Sequence, residues 1–235
     1  MVAKLSREVA AVLADEIRAL PAGHRFESEK TIMSRFEVSR STVRSALQEL
    51  EDQYLVRRIQ GSGTYVNRRI DYVISRTKRP SMHETIAAAG GRPHTLLIDA
   101  GFHPVPEDLA QRLGIEAGTP TQRLIRLSYI DDAVSGYSEE WINGGVCDYV
   151  DVGLKVIESL DQVLRARGFE PVRAWCRIGM ENPAAQINER LELVRSTQTW
   201  VVESLTRDKA SGRPLMCSIT WTRPDTVRMD HELEE

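Results

Sequence analysis

Cysteine is scarce: the 235 residues hold three, Cys147, Cys176 and Cys217, far apart and odd in number. That excludes a disulfide framework and a zinc site built on close-spaced ligand pairs, and it fits a reducing cytoplasm. Long apolar runs are missing as well. None approaches the roughly 18 residues of a membrane span, and the opening MVAKLSREVA carries charge where a signal peptide has its apolar stretch, so no membrane partner is expected. Catalytic signatures are equally lacking. The five histidines, His24, His83, His94, His103 and His231, stand in no metal-binding spacing, and no GxSxG elbow, phosphate loop or complete dinucleotide fingerprint occurs. Glu139 and Glu140 would point to opposite faces of a strand and form no acid/base pair. The sequence therefore predicts no enzyme, no metal and no cofactor.

Excess charge of one sign is absent from the whole chain, whose net charge is -3, but not from its parts. Up to Arg79 there are 15 Lys and Arg against 10 Asp and Glu, and beyond it 16 against 24. A basic first third precedes an acidic remainder. At 41% hydrophobic content each can bury a core of its own, which excludes disorder as the main state.

In the basic third, Val9, Val12, Leu13, Ile17 and Leu20 recur at helical spacing, with Ser6 as an available cap and Pro21 as a stop. Next, Ser28 can cap a helix over 29–36 and Ser39 a second over 40–52. Only Glu37 and Val38 separate the two, which predicts a helix-turn-helix. In the second helix Val43, Ala46, Leu47 and Leu50 form the inward stripe. Its first turns offer Ser39, Arg40, Ser41, Thr42 and Arg44, donors suited to guanine edges and phosphate oxygens in a major groove. The segment LVRRIQGSGTYV then reads as a β-hairpin tipped by Gly61 and Gly63, a wing whose Arg57 and Arg58 would meet phosphate. Double-stranded DNA is the expected partner.

The string SRFEVSRSTVRSALQELEDQYLVRRIQGSGTYV resembles the winged-helix domain of the GntR family of bacterial transcription regulators. The resemblance implies DNA contacts at Lys30, Arg40, Thr42, Arg44, Gln60 and Gly61. One departure is Glu27 where the family often has proline, which leaves the Ser28 cap in place.

Residues 1–67 are thus expected to form the reader. The basic stretch 68–79, with Arg68, Arg69, Arg76, Lys78 and Arg79, reads as a linker near the DNA backbone. From Pro80 onward strands meander with helices inserted: strands near 94–102, 121–130, 134–142, 172–180, 198–208 and 215–223, and a long helix over 154–167. This order predicts an α+β domain around a mostly antiparallel sheet over 80–235. It resembles the UTRA effector domain of the HutC subfamily of GntR regulators, on Ser81 with its following helix, EDLAQRLGIEAGTPTQRLIRLSYIDD and SLTRDKASGRPLMCSITWTRPD. The resemblance implies a chorismate lyase-like fold that binds small, often anionic metabolites. Carried over by position, Arg126 would face the ligand and Ser81 would help hold an anion at a helix N-terminus. Ser128 stands where sugar-phosphate sensors have a second arginine, Ser138 where they have a glutamate with Glu140 two residues on, and Met216 and Thr222 where they have an acidic residue and a tyrosine. Trp175 is a candidate aromatic platform. Arg126 has a second use, as an ion-pair partner of Glu140 on the neighbouring strand.

The reading is a cytoplasmic, nucleoid-associated bacterial regulator: a homodimeric repressor released from a palindromic operator by a small-molecule effector. The competing reading is a constitutive DNA-binding protein whose second domain only dimerises.

Overall fold

The computed structural model describes residues 2–59, 61–67, 69–75, 78–147, 149–193 and 197–232, and divides into two compact units, Met1–Arg69 and Ile70–Glu235. Gln60, Arg68 and Arg76 lie outside the described residues.

The first unit runs α1 (Val2–Arg18), α2 (Glu29–Phe36), α3 (Arg40–Asp52), β1 (Val56–Ile59) and β2 (Gly63–Val66). Both serine caps form: the Ser28 side chain accepts from the Thr31 amide and that of Ser39 from the Thr42 amide, each at 3.2 Å. Between the helices Glu37 adopts the left-handed conformation and its amide closes back on Met33, which ends α2 within one residue. Buried Val9, Leu13, Ile17, Ile32, Val43, Leu47, Leu50, Val56 and Val66 make one core. Two details of α1 differ from the expectation. The helix starts before Ser6, which is buried within it and does not stand at its N-terminus, and Val12 is 46% exposed because Ala10 and Ala14 complete the inward stripe. Small alanines let α1 approach α3 closely, and that outweighs the larger apolar residue. Arg35 ties the helices together, donating to Glu16 at 2.9 Å and to Glu27 at 3.3 Å and holding the Glu16 carboxyl below its usual range.

The second unit contains β3 (Ile70–Ile74), α4 (Met82–Ala88), β4 (Pro93–Pro104), α5 (Glu107–Leu113), β5 (Pro120–Ile130), β6 (Ala133–Ile142), α6 (Val150–Leu154), α7 (Leu160–Ala166), β7 (Pro171–Glu181), α8 (Ala185–Arg190), β8 (Thr199–Asp208), β9 (Pro214–Thr222) and β10 (Val227–His231). Six strands form one antiparallel sheet in the order β4-β5-β6-β9-β8-β7. Residues of α6 and α7 pack with Leu124, Ile142 and Met216 on one face. Residues of α5 pack with Trp141, Leu205 and Cys217 on the other. Burial there pushes the Cys217 thiol up to about 11, so it is a packing residue with little thiolate character.

Two expectations are corrected. The stretch read as linker holds β3, whose Ile70, Tyr72 and Ile74 are buried and which pairs in parallel with β10. The helix expected over 154–167 starts later and is shorter: α7 begins at Leu160 after the Ser159 cap, whose side chain accepts from the Gln162 amide at 3.3 Å, while Leu154 is the last residue of a separate helix, α6.

Candidate DNA-reading face and ligand cavity

On α3 the inward stripe is fully buried, which fixes the opposite face. Arg40 and Arg44 lie on it with side chains 71% and 62% exposed, flanked by exposed Ser39 and Ser41. Lys30 is exposed on α2. Thr42 differs from the expectation: it is 3% exposed and its hydroxyl lies 2.8 Å from that of Ser39, so it supports the cap from inside and is not an open donor. Ser45 and Gln48 are exposed on the same helix, one and two turns beyond Ser41, and sequence reasoning passed over both.

Glu29 lies opposite the arginines, its carboxylate 3.3 Å from Arg40 and 3.7 Å from Arg44. Both pairs are open to solvent and individually weak, so a phosphate can displace them. Glu29→Gln is therefore expected to raise affinity for random-sequence duplex about threefold to tenfold at low salt, on the scale of one exposed ion pair or two, when followed by fluorescence anisotropy. No change would show that Glu29 does not compete for these side chains.

The wing is held from both sides. Gly61 and Gly63 have φ of 76° and 129°, which L side chains rarely adopt, and a Cβ on Gly63 would meet the Arg25 guanidinium at 3.3 Å. The Tyr65 and Ser62 hydroxyls lie 2.6 Å apart across the tip. Arg58, expected at phosphate, instead donates to Glu51 of α3 at 2.8 Å and braces the wing against the helix. Arg57 is the exposed arginine of this strand.

In the second unit the sheet carries hydroxyls where a buried face normally has aliphatic side chains. Register sets Arg126 beside Ser138, Ser138 beside Thr220, Glu140 beside Ser218 and Ser218 beside Ser204, all on one face. The Ser204 and Ser218 hydroxyls are 2.9 Å apart, and Thr220 donates to Ser138 at 3.3 Å. This face is largely covered. With residues of α4, α7 and β10 it lines a partly open cavity of about 110 Å³. Buried polar atoms are costly unless bonded, and the Thr206 and Thr222 hydroxyls have no hydrogen-bond partner among the described residues.

Six of the seven expected effector residues line the cavity: Ser81, Arg126, Ser128, Ser138, Glu140 and Thr222. Trp175 does not. It lies on the other face of the sheet with the Arg112 guanidinium 3.8 Å over its ring, because position 175 pairs with inward-packed Leu205. Ser81 caps its own helix through the Glu84 amide at 3.2 Å. Arg126 does pair with Glu140, donating from Nε at 2.9 Å, but the pair is buried, with side chains 13% and 4% exposed. Its Nη1 also donates to the Glu158 carbonyl at 3.3 Å. Sequence reasoning missed His83, Glu158, Asp161 and Arg173 in the lining. Burial works against the charge on Glu158, yet the Thr95 amide at 2.7 Å and the His94 ring at 2.9 Å outweigh it and hold that carboxyl below its usual range. Arg173 donates to the Tyr72 hydroxyl at 2.7 Å through Nη2.

Among the described residues, no helix is long and apolar enough to cross a membrane. Two family models match the chain: "Bacterial regulatory proteins, gntR family" over residues 5–66 and "UTRA domain" over residues 88–228. Similar proteins include the HTH-type transcriptional regulator GgaR of Escherichia coli (strain K12), 28% identical over 207 residues that span 88% of this chain and 81% of that one. The mannosyl-D-glycerate transport/metabolism system repressor MngR of the same organism is 29% identical over 141 residues, 59% of this chain and 58% of that one. The crystal structure of PhnF from Mycobacterium smegmatis shares the fold at a TM-score of 0.65 and 23% identity, over 96% of this chain and 99% of that one. The two models follow one another in the order of the two units, consistent with the HutC subfamily, and the chain is a transcriptional regulator belonging to the GntR family, with a DNA-binding winged helix-turn-helix followed by a UTRA domain.

Proposed function

We propose that this regulator is a homodimeric repressor that binds a palindromic operator and is released from it by a small metabolite bound in the cavity of the second unit. The hydroxyl-lined floor of the cavity is the observation that carries the ligand-responsive part, because a domain that only dimerised would gain nothing from buried hydroxyls without partners. The sign is supported by MngR, which is named a repressor. An anionic effector gains little support, since Arg126 is already held by Glu140. The protein acts in the cytoplasm, on the nucleoid.

Arg40, Arg44, Ser41 and Ser39 are the proposed base and phosphate contacts of α3, with Lys30, Arg57 and the Gly61–Gly63 tip on the backbone. One such helix covers only a few base pairs, so two copies are needed to single out a site in a genome. Ligand acts by favouring the arrangement of the pair that fits the half-site spacing less well, and operator affinity falls by the difference in ligand binding between the two arrangements.

Arg44→Ala and Arg40→Ala test the reader. Each is expected to cost about 1–3 kcal/mol on the operator, roughly fivefold to 150-fold in Kd, and to relax base preference at one position of each half-site. An equal loss on random duplex would reduce that arginine to a phosphate contact.

A further inference from the structure

The groups lining the cavity differ in what they still lack. Arg126 and Glu140 satisfy each other, and the Glu158 carboxylate accepts from Thr95 and pairs with His94. Asp161, in the first turn of α7, is 6% exposed, and neither of its carboxylate oxygens has a hydrogen-bond partner among the described residues. Burial, and then the Glu84 carboxylate on α4, hold its carboxyl above the usual range, against the weaker pull of Arg165 and Arg79. Such an orphaned acid is destabilising alone and becomes favourable when a partner arrives.

The charges of the lining say which partner. Two guanidiniums, Arg126 and Arg173, face three carboxylates, Glu140, Glu158 and Asp161, while burial drives the His83 ring toward its neutral form. With Asp161 ionised the lining is one positive charge short. We propose that the cavity binds a small organic cation, a protonated amine on a hydroxyl-bearing body, with the ammonium seated on the Asp161 carboxylate. The body lies on Ser138, Ser218 and Thr220, whose hydroxyls both donate and accept. Arg173, whose Nε and Nη1 also lack hydrogen-bond partners among the described residues, can donate to the hydroxyl oxygens of that body, while a phosphate ester is disfavoured because its charge adds to a lining that is already net negative. This inference rests on the reading that the cavity is where the effector binds.

Matched probes test it on the full-length protein: glucosamine, glucose and glucose 6-phosphate, which carry a cation, no charge and an anion on similar bodies. Glucosamine at millimolar concentration is expected to raise the unfolding temperature by several degrees in a dose-dependent way, glucose by less, and the phosphate ester not at all. Asp161→Asn removes the charge while keeping the shape, and is expected to weaken glucosamine about tenfold or more by calorimetry. Glu84→Gln, outside the lining, is expected to leave glucosamine binding in place. Stabilisation by the phosphate ester alone, silence of all three probes, or unchanged amine affinity in a folded Asp161→Asn protein would each overturn the proposal. If the phosphate ester alone stabilises the protein and weakens DNA binding, the cation falls and the ligand-released repressor stands. If the amine binds as expected while DNA affinity stays fixed, the reverse holds.

Discussion

Arg126→Ala is expected to destabilise the second unit by about 3–5 kcal/mol, because it leaves the Glu140 carboxylate buried without its partner. The side chains of this pair are 13% and 4% exposed, so water cannot readily take over the guanidinium's role. Against a typical domain stability of about 5–15 kcal/mol, that is a large fraction of the whole. Denaturant unfolding should show a lower midpoint with little change in slope. Replacing both partners, as in Arg126→Met with Glu140→Leu, is expected to recover most of the loss, since an apolar pair of similar volume leaves no orphaned charge. A mild effect of the single substitution would mean that the pair is open to solvent. Arg126→Ala is consequently a poor probe of ligand contact, because loss of induction would follow from loss of folding. Asp161, which supports no neighbour through a hydrogen bond among the described residues, is the cleaner position.

Leu47→Ala carries the second large effect. Leu47 is fully buried in the core that residues of α1, α2, α3 and the wing strands form together. Deleting its side chain is expected to cost about 2–5 kcal/mol, toward the upper end if the rigid helices cannot close the cavity. A unit of this size buries a modest core and has little stability to spare. Calorimetry should show the transition of the first unit moving down while that of the second stays in place. DNA binding should fail as the first transition falls below the working temperature, with ligand binding retained. An unshifted first transition would contradict the assignment of Leu47 to the core.

How far the sequence could be read follows from the range of each interaction. The caps at Ser28 and Ser39 act on amides three residues away, so the two helices and their tight break are legible locally. The wing announces itself through two glycines at positive φ. Strand β3 is hidden, because IDYVI sits among basic residues that read as linker and its partner, β10, is about two-thirds of the chain away in sequence. The break between α6 and α7 is hidden by apolar spacing that continues across it, although the Ser159 cap was there to be found.

The cavity illustrates a different limit. Alternate Ser and Thr on β8 and β9, with Arg126, Ser128, Ser138 and Glu140 on β5 and β6, have the period of a solvent face, and one strand taken singly gives no reason to think otherwise. Only the strand order sets these stripes side by side, and only the helices above them make the stripes the floor of a cavity. Family resemblance located six lining residues by position, but Asp161 and Glu158 flank a helix start that was read as the middle of a helix, so no pattern pointed to them. Thr42 and Arg58 show the converse. Both have the chemistry of a DNA contact, and both are engaged within the protein, by Ser39 and by Glu51.

Selection of bound duplexes from a random-sequence pool, run in parallel with the intact protein and with Arg44→Ala, tests the central claim most directly. The exposed face of α3, used twice by a symmetric pair, predicts enrichment of a single inverted repeat whose half-sites lie about one helical turn apart, centre to centre, or a multiple of that. In the variant the same repeat should return with preference relaxed at one position of each half. An asymmetric site, or an identical preference from both proteins, would contradict it.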